Sequence, residues 1–156
     1  MSEIKDKPRV PVLTGWFTAD EKHPHLLGSR CKACGTYYFP KLLTFCRNPG
    51  CAGSNSGEAR FEEVELSRKG TLWSYTNACY KPPEPYIAKE PFVPFGIAAV
   101  ELDKERMVVL GPVIDGVSAD ALKVGMSMEL VLEPLSEDDK AVTLTWKWKP
   151  AAGGAK

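Results

Sequence analysis

In the stretch MSMELVLEPL, Met126, Met128, Leu130 and Leu132 fall on one face of an extended chain, and Ser127, Glu129 and Glu133 on the other. The stretch AVTLTWKWK repeats this pattern, with Val142, Leu144, Trp146 and Trp148 on one side and Thr143, Thr145 and Lys147 on the other. Period two is the mark of a strand with one buried face. Less regular alternation predicts three further strands, Thr71–Tyr80, Phe95–Leu102 and Met107–Ile114, with Gly70, Gly116 and Gly125 at their ends, where turns need small residues. In GVSADALKVG, Ser118 stands as the N-cap of a single helical turn that Gly125 closes. Five strands with one short helix inserted late fit a small closed barrel better than a sandwich, and the five-stranded OB-fold is the natural candidate for residues 61–150.

The pattern differs elsewhere. Residues 1–15 read as an extended arm, and WFTADEKHPHLLG (16–28) predicts a short helix broken at Pro24. A cysteine-rich segment opens at residue 29, and the polar AGSNSGEAR closes it as a loop at 60. YKPPEPYIAKEPFVPF carries five prolines, so it is a long connection between two strands and not a central strand. KPAAGGAK ends the chain, with residues 151–156 expected to be a disordered tail. The expected division is thus an arm with a short helix at 1–28, a metal-binding unit at 29–60, the barrel and then the tail. The fold class is mainly β.

Composition narrows the function. At 156 residues with 44% hydrophobic and 26% charged positions, the chain suits one ordinary domain with a smaller appendage. No apolar run approaches the roughly 20 residues of a membrane span. The opening MSEIKDKPRVPVL lacks the core of a secretory signal. A cytoplasmic, reducing setting is the default, and no membrane partner is expected. Lys+Arg and Asp+Glu both number 20, whereas binders of phosphate backbones usually carry a basic excess. The balance disfavours a general nucleic-acid partner and leaves room for a local basic face.

Four of the five cysteines, Cys31, Cys34, Cys46 and Cys51, form C-x2-C and C-x4-C pairs eleven residues apart. Scattered core cysteines and disulfides are the competing readings, and reducing conditions argue against the second. Ligation of one metal ion explains the clustering best, because the short loop lets two sulfurs converge on one point. Gly35 follows the second ligand, Asn48-Pro49-Gly50 supplies the other turn, and the apolar Tyr37, Tyr38, Phe39, Leu42, Leu43 and Phe45 between the pairs suit the hairpin of a rubredoxin-like zinc ribbon. The ligands alone leave a four-thiolate iron site open beside zinc. Four thiolates fill a tetrahedron, so the metal is structural: one ion per chain, folding a segment too small for a core of its own.

A search for catalysis finds little. Cys79 is read as an inert, half-buried strand residue, and His23 and His25 as exposed loop residues beside a proline. Glu62, Glu63 and Glu65 read as a solvated strand face, and Glu137, Asp138 and Asp139 as a hairpin turn. None of the phosphate-loop, nucleophile-elbow or zinc-protease motifs occurs. No catalytic residue is therefore assigned. Binding is the better expectation. Trp73, Tyr75, Tyr80, Tyr86, Phe92 and Phe95 flank the proline-rich loop, with Arg68, Lys69, Lys81 and Lys89 nearby. Such a set can stack a base and hold phosphates, or form barrel core and ordinary surface charge. From it, Arg68, Lys69, Lys81, Lys89, Tyr86 and Phe92 are the candidate contacts for a nucleotide-bearing cofactor or a partner.

The order of these features, with CKACGTYYFP, RKGTLWSYT and VGMSMELV as its specific elements, resembles a family of zinc-ribbon plus OB-fold proteins associated with acyl-CoA enzymes, over residues 16–135. The resemblance implies a small non-catalytic subunit of a heteromeric thiolase or a related enzyme, with the catalytic Cys and His on the large partner. It implies that the ribbon mediates docking, that the barrel can lie against CoA, and that Cys31, Cys34, Cys46 and Cys51 are the zinc ligands. Within the family it points to 2-benzoylsuccinyl-CoA, cleaved in anaerobic toluene breakdown, as the partner's substrate. The sequence departs from the family pattern at the second pair, where four residues replace two. A nucleic-acid- or nucleotide-binding module is the alternative from another class, since barrels and ribbons of these kinds serve there too.

Overall fold

The computed structural model describes residues 7–51, 60–84, 88 and 90–151. The described residues form nine strands: β1 (Arg9–Pro11), β2 (Leu27–Cys31), β3 (Tyr37–Tyr38), β4 (Phe61–Glu65), β5 (Lys69–Ala78), β6 (Phe95–Leu102), β7 (Val108–Pro112), β8 (Ser127–Glu137) and β9 (Val142–Pro150). They form a three-stranded sheet, β3-β2-β4, and a six-stranded sheet, β1-β9-β8-β5-β6-β7.

The larger sheet closes on itself. Val113, just beyond β7, bridges Trp148 of β9 in parallel, and the Ile114 N–H donates to the Trp148 carbonyl at 3.1 Å. Strands β5 to β9 therefore run in the cyclic order β5-β6-β7-β9-β8, the five-stranded OB barrel expected from the alternation. Closure needs Gly111, because a Cβ there would stand 2.9 Å from the Trp148 ring and 3.0 Å from that of Trp146. Along β8, Met128, Leu130 and Leu132 are buried as the pattern required, and Val142, Leu144 and Trp148 are buried along β9. They pack with Leu72, Val100, Leu102 and Val113 in one core, which Phe17, Leu26 and Leu66 extend toward the smaller sheet. Between β7 and β8, Ala119–Ala121 make one 3-10 turn, capped by Ser118, whose hydroxyl accepts from the Asp120 N–H at 3.1 Å.

Three expectations need correction. Residues 16–28 form no helix. Phe17 bridges Leu26 in antiparallel register, the Leu27 N–H donates to the Trp16 carbonyl at 2.8 Å, and Asp20 Oδ1 accepts from the Lys22 and His23 N–H groups. This excursion buries Phe17, Pro24 and Leu26 while keeping ADEKH in water, which one face of a helix broken at Pro24 could not do. The arm is extended, as read, but docked: β1 adds a sixth strand parallel to β9, pairing Arg9 with Val142. Its first six residues lie outside the described chain, as does the tail at 152–156. Finally, the polar face of β9 is not a solvent face, since Thr145 and Lys147 are both buried. In the sheet β9 lies between β1 and β8, and Lys147 is held between Asp115 and Glu133. Among the described residues no helix is long and apolar enough to cross a membrane.

Candidate metal centre

Strand β2 delivers Cys31 at its end, and the tight turn into β3 carries Cys34. The Gly35 N–H donates to the Cys31 carbonyl at 2.8 Å, and Gly35 takes φ +79°, a left-handed value that a side chain would strain. A second loop brings Cys46 and Cys51 to the same point. There the Cys51 N–H donates to the Asn48 carbonyl at 3.0 Å, and the Asn48 side chain accepts from the Gly50 N–H at 3.0 Å. The two extra residues of the second pair are thus absorbed in a turn organised by Asn48.

The four sulfurs all lie within 4.8 Å of one another. Cys31 and Cys51 are 3.8 Å apart, and Cys34 and Cys46 3.5 Å. A tetrahedron of thiolates ~2.3 Å from a central ion has edges of about 3.8 Å, so the residues present fit one zinc. A disulfide would need sulfurs about 2.05 Å apart, and none of the five cysteines is disulfide-bonded. Cys31, Cys46 and Cys51 are buried with Phe61 in a small core of their own, and Cys34 faces water. With four sulfurs the site is closed, and no water or substrate has a coordination position.

Outer groups orient these sulfurs. Tyr38 Oη lies 3.1 Å from Cys46 Sγ and accepts from the Arg47 N–H at 2.9 Å, so its proton is directed at sulfur. Burial first, and then the neighbouring Cys46, raises the Tyr38 hydroxyl above its usual pKa, which keeps it a donor. At Cys34 the Thr36 hydroxyl sits 3.1 Å from sulfur and holds the thiol at about 6. Neither group was read as part of the site from sequence, although Thr36 and Tyr38 lie within a few residues of the ligands.

An aromatic seam ties this unit to the barrel. Trp146 of β9 stacks on Trp16 with centroids 6.2 Å apart, and meets Phe39 and Phe17 edge-on, both at 5.8 Å. Trp146 Nε1 donates to the Leu110 carbonyl at 3.1 Å, holding the ring across the β7–β9 closure. Polar clasps flank it: buried Ser29 exchanges two hydrogen bonds with the Leu42 backbone, and Arg30 pairs with Glu62 at 3.2 Å. Lys41 pairs with Glu63 at 2.6 Å, so the solvated carboxylates of β4 are also partnered. His25 is not a simple exposed residue: its Nδ1 lies 3.0 Å from the Leu66 carbonyl, joining the 18–25 excursion to the entry of β5.

The candidates for contact with CoA or a partner are dispersed. Arg68 pairs with Glu129 at 3.2 Å and approaches His23, while Lys69 opens β5. Lys81, beyond the other end of that ten-residue strand, pairs with Glu90. Arg68 and Lys69 therefore stand at one end of β5 and Lys81 beyond the other. Phe92 packs edge-on against Phe95 and lines a cleft beside the barrel. Tyr86 and Lys89 lie outside the described residues. Trp73 and Tyr80 are 61% and 76% exposed, so they belong to the surface and not to the barrel core. Cys79 is exposed just beyond β5, a correction to its reading as a half-buried strand residue, and its recorded contact is the Asn77 carbonyl.

Comparison with known proteins gives this architecture a family. Residues 18–56 match the model of the ChsH2 rubredoxin-like zinc ribbon domain, and residues 63–133 that of the ChsH2 C-terminal OB-fold domain. A DUF35 domain-containing scaffold protein of Methanocaldococcus jannaschii is 32% identical over 143 residues, covering 89% of this chain and 90% of the relative. The benzoylsuccinyl-CoA thiolase subunit BbsA of Thauera aromatica is 46% identical over 59 residues, 38% of this chain and 35% of its own length. Among solved structures, a chain of the Ltp2-ChsH2(DUF35) aldolase superposes with a TM-score of 0.55 at 26% identity, over 82% of this chain and 86% of that one. A closed four-cysteine ribbon seated on an OB barrel, with a relative matched along nearly its whole length, establishes that this chain belongs to the DUF35 family of ChsH2-type zinc-ribbon and OB-fold proteins.

Proposed function

We propose that this chain is a non-catalytic, zinc-binding accessory subunit of a heteromeric thiolase-type enzyme acting on an acyl-CoA thioester. The observation that carries the reading is the closed four-sulfur centre, which leaves no coordination position for substrate, in a chain similar to a scaffold protein, a thiolase subunit and part of an aldolase. The ribbon serves as the docking element, held by the aromatic seam against the barrel. The reactive Cys and His belong to the partner, and 2-benzoylsuccinyl-CoA is the substrate proposed for the assembly, after the BbsA relative. Residues 29–60 and 61–150 are the proposed functional units, with β4 of the second hydrogen-bonded to β2 of the first. Arg68, Lys69, Lys81, Lys89, Tyr86 and Phe92 are proposed for contact with CoA or with the partner.

The test is a pull-down of the tagged full-length chain from its native extract, with co-purifying chains identified by mass spectrometry. A thiolase-type chain retained by the wild type, and lost together with zinc in Cys31→Ser or Cys46→Ser, is the expected result. Association that survives zinc loss removes the ribbon from docking. Recovery of nucleic acid alone replaces the reading with that of a nucleic-acid-binding module.

A further inference from the structure

From Gly70 to Ala78 the sequence GTLWSYTNA holds no charged residue and no proline, and its Thr71, Trp73, Tyr75 and Thr76 are strong strand formers. This run is the body of β5. Its first part is paired on both sides: β6 lies along one edge, and β8 meets the other at Lys69–Thr71. That contact ends at Leu72, whose N–H donates to the Met126 carbonyl at 2.8 Å and whose carbonyl accepts from the Gly125 N–H at 2.8 Å. Between Leu72 and Ser74 the register with β6 slips by one residue. From Ser74 to Ala78, among the described residues, β6 is the one strand alongside. Trp73 to Asn77 are all exposed, Trp73 by 61%. The Asn77 carbonyl has the Cys79 thiol, a weak donor, 3.5 Å away.

A strand edge presents a row of N–H and C=O groups ready to pair with another strand, and folded proteins guard such edges with short strands, charges and prolines. The other open edges follow this rule. β1 is three residues long and includes Arg9 and Pro11, and β3 is two residues long. β4 carries Glu62, Glu63 and Glu65. Beyond its contact with β5, β8 carries Glu133, Pro134 and Glu137. The outer half of β5 has none of these guards, and what satisfies such an edge is another extended strand.

Its own side chains suit it to itself. Antiparallel pairing of two copies about a two-fold axis at Tyr75 sets Tyr75 against Tyr75, Ser74 against Thr76 and Trp73 against Asn77. Aromatic pairs and pairs of hydroxyl residues are favourable cross-strand neighbours, and an edge without charge meets its own copy without repulsion. We infer that the outer half of β5, Trp73–Ala78, is the interface through which two copies of this chain pair edge to edge. An edge this short covers less than the roughly 1,600 Å² of a standard interface, so the pairing is weak and depends on concentration. The inference goes beyond the accessory-subunit reading and does not rest on it, because the purified chain alone decides it.

The experiment is sedimentation velocity on the purified, zinc-loaded full-length chain over a wide range of concentration. Wild type, Tyr75→Lys, Tyr75→Glu and the control Val10→Lys, on β1 at the far side of the same sheet, are compared, with zinc content and melting temperature checked for each. Tyr75 and Val10 are exposed to the same extent, 38% and 39%. The expected result is a monomer–dimer equilibrium in the wild type and the control, weakened about tenfold or more in Tyr75→Lys, where two ammonium groups face each other across the axis. Tyr75→Glu alone weakens it likewise, and mixing the two variants restores the dimer, which unfolded chains could not do. In the wild type, amide exchange at Ser74–Asn77 slows as concentration rises. A wild type that stays monomeric throughout overturns the inference, as does a dimer that both Tyr75 variants leave intact. If the wild type is monomeric and Tyr75→Lys instead weakens capture of the thiolase-type chain, the edge belongs to that partner and not to a second copy. The accessory-subunit reading survives each of these outcomes, since the pull-down tests it separately.

Discussion

Replacing Trp146 by Ala should loosen the ribbon from the barrel, and the structure sets the size of the effect. The ring meets Trp16, Phe17 and Phe39 at centroid distances of 5.8 to 6.2 Å, and its Nε1 donates to the Leu110 carbonyl. Truncating a buried tryptophan costs about 3–5 kcal/mol. Trp146 is only partly buried, so its own loss belongs at the low end, about 3 kcal/mol. Within that sum the indole hydrogen bond is worth about 1 kcal/mol, which Trp146→Phe isolates by keeping a ring. For a chain of this size 1 kcal/mol corresponds to roughly 2–4 °C, so Trp146→Ala should melt about 6–12 °C lower. The assay is urea denaturation of the zinc-loaded protein followed by far-UV circular dichroism, with a metal-sensitive dye reporting release in the same titration. In Trp146→Ala the dye should respond at lower urea than the barrel signal, because the ribbon loses its support first. A cost below about 1 kcal/mol, with both signals still coincident, would refute the seam as the link between the two units.

Other consequences follow from single contacts. Tyr38→Phe removes the donor to Cys46 and should weaken zinc binding about 10- to 100-fold in competition with a chromogenic chelator, while an unchanged affinity would show that the hydroxyl does not tune the site. Gly111→Ala drives a Cβ into the Trp146 and Trp148 rings and should cost about 1–3 kcal/mol in chemical denaturation; a neutral result would mean that the closure relaxes freely. Asp138 accepts from the Lys140 and Ala141 N–H groups in the β8–β9 turn, which lowers its pKa below 3.8. Its contribution is present above pH 3.8 and lost as the pH falls through the folded value, so Asp138→Ala should melt below wild type at pH 6 and converge with it in strong acid. Parallel melting curves at every pH would exclude that role.

The parts of the molecule legible in its sequence are those set by neighbours along the chain. Strand β6 spans the residues its alternation predicted, because period two follows from the pleat alone. The four ligands were legible because short loops bring paired thiolates together whatever the rest of the fold does. The Ser118 cap likewise acts on an amide two residues away. What only the tertiary structure decided rests on contacts between distant residues. Trp16 and Trp146 meet across 130 positions, and neither position shows in its own surroundings that the other exists. The alternation in β9 correctly separated Trp148 from Lys147, yet could not show that both would be buried, because burial depends on which elements arrive opposite. The same limit explains the absent helix at 16–28: Phe17 and Leu26 gain more by pairing over the shared core than a short, proline-broken helix could return. Local periodicity determined the strands and short-range spacing the metal ligands, while the partners of Lys147, His25 and Trp146 were determined by chain closure, which no window of sequence contains.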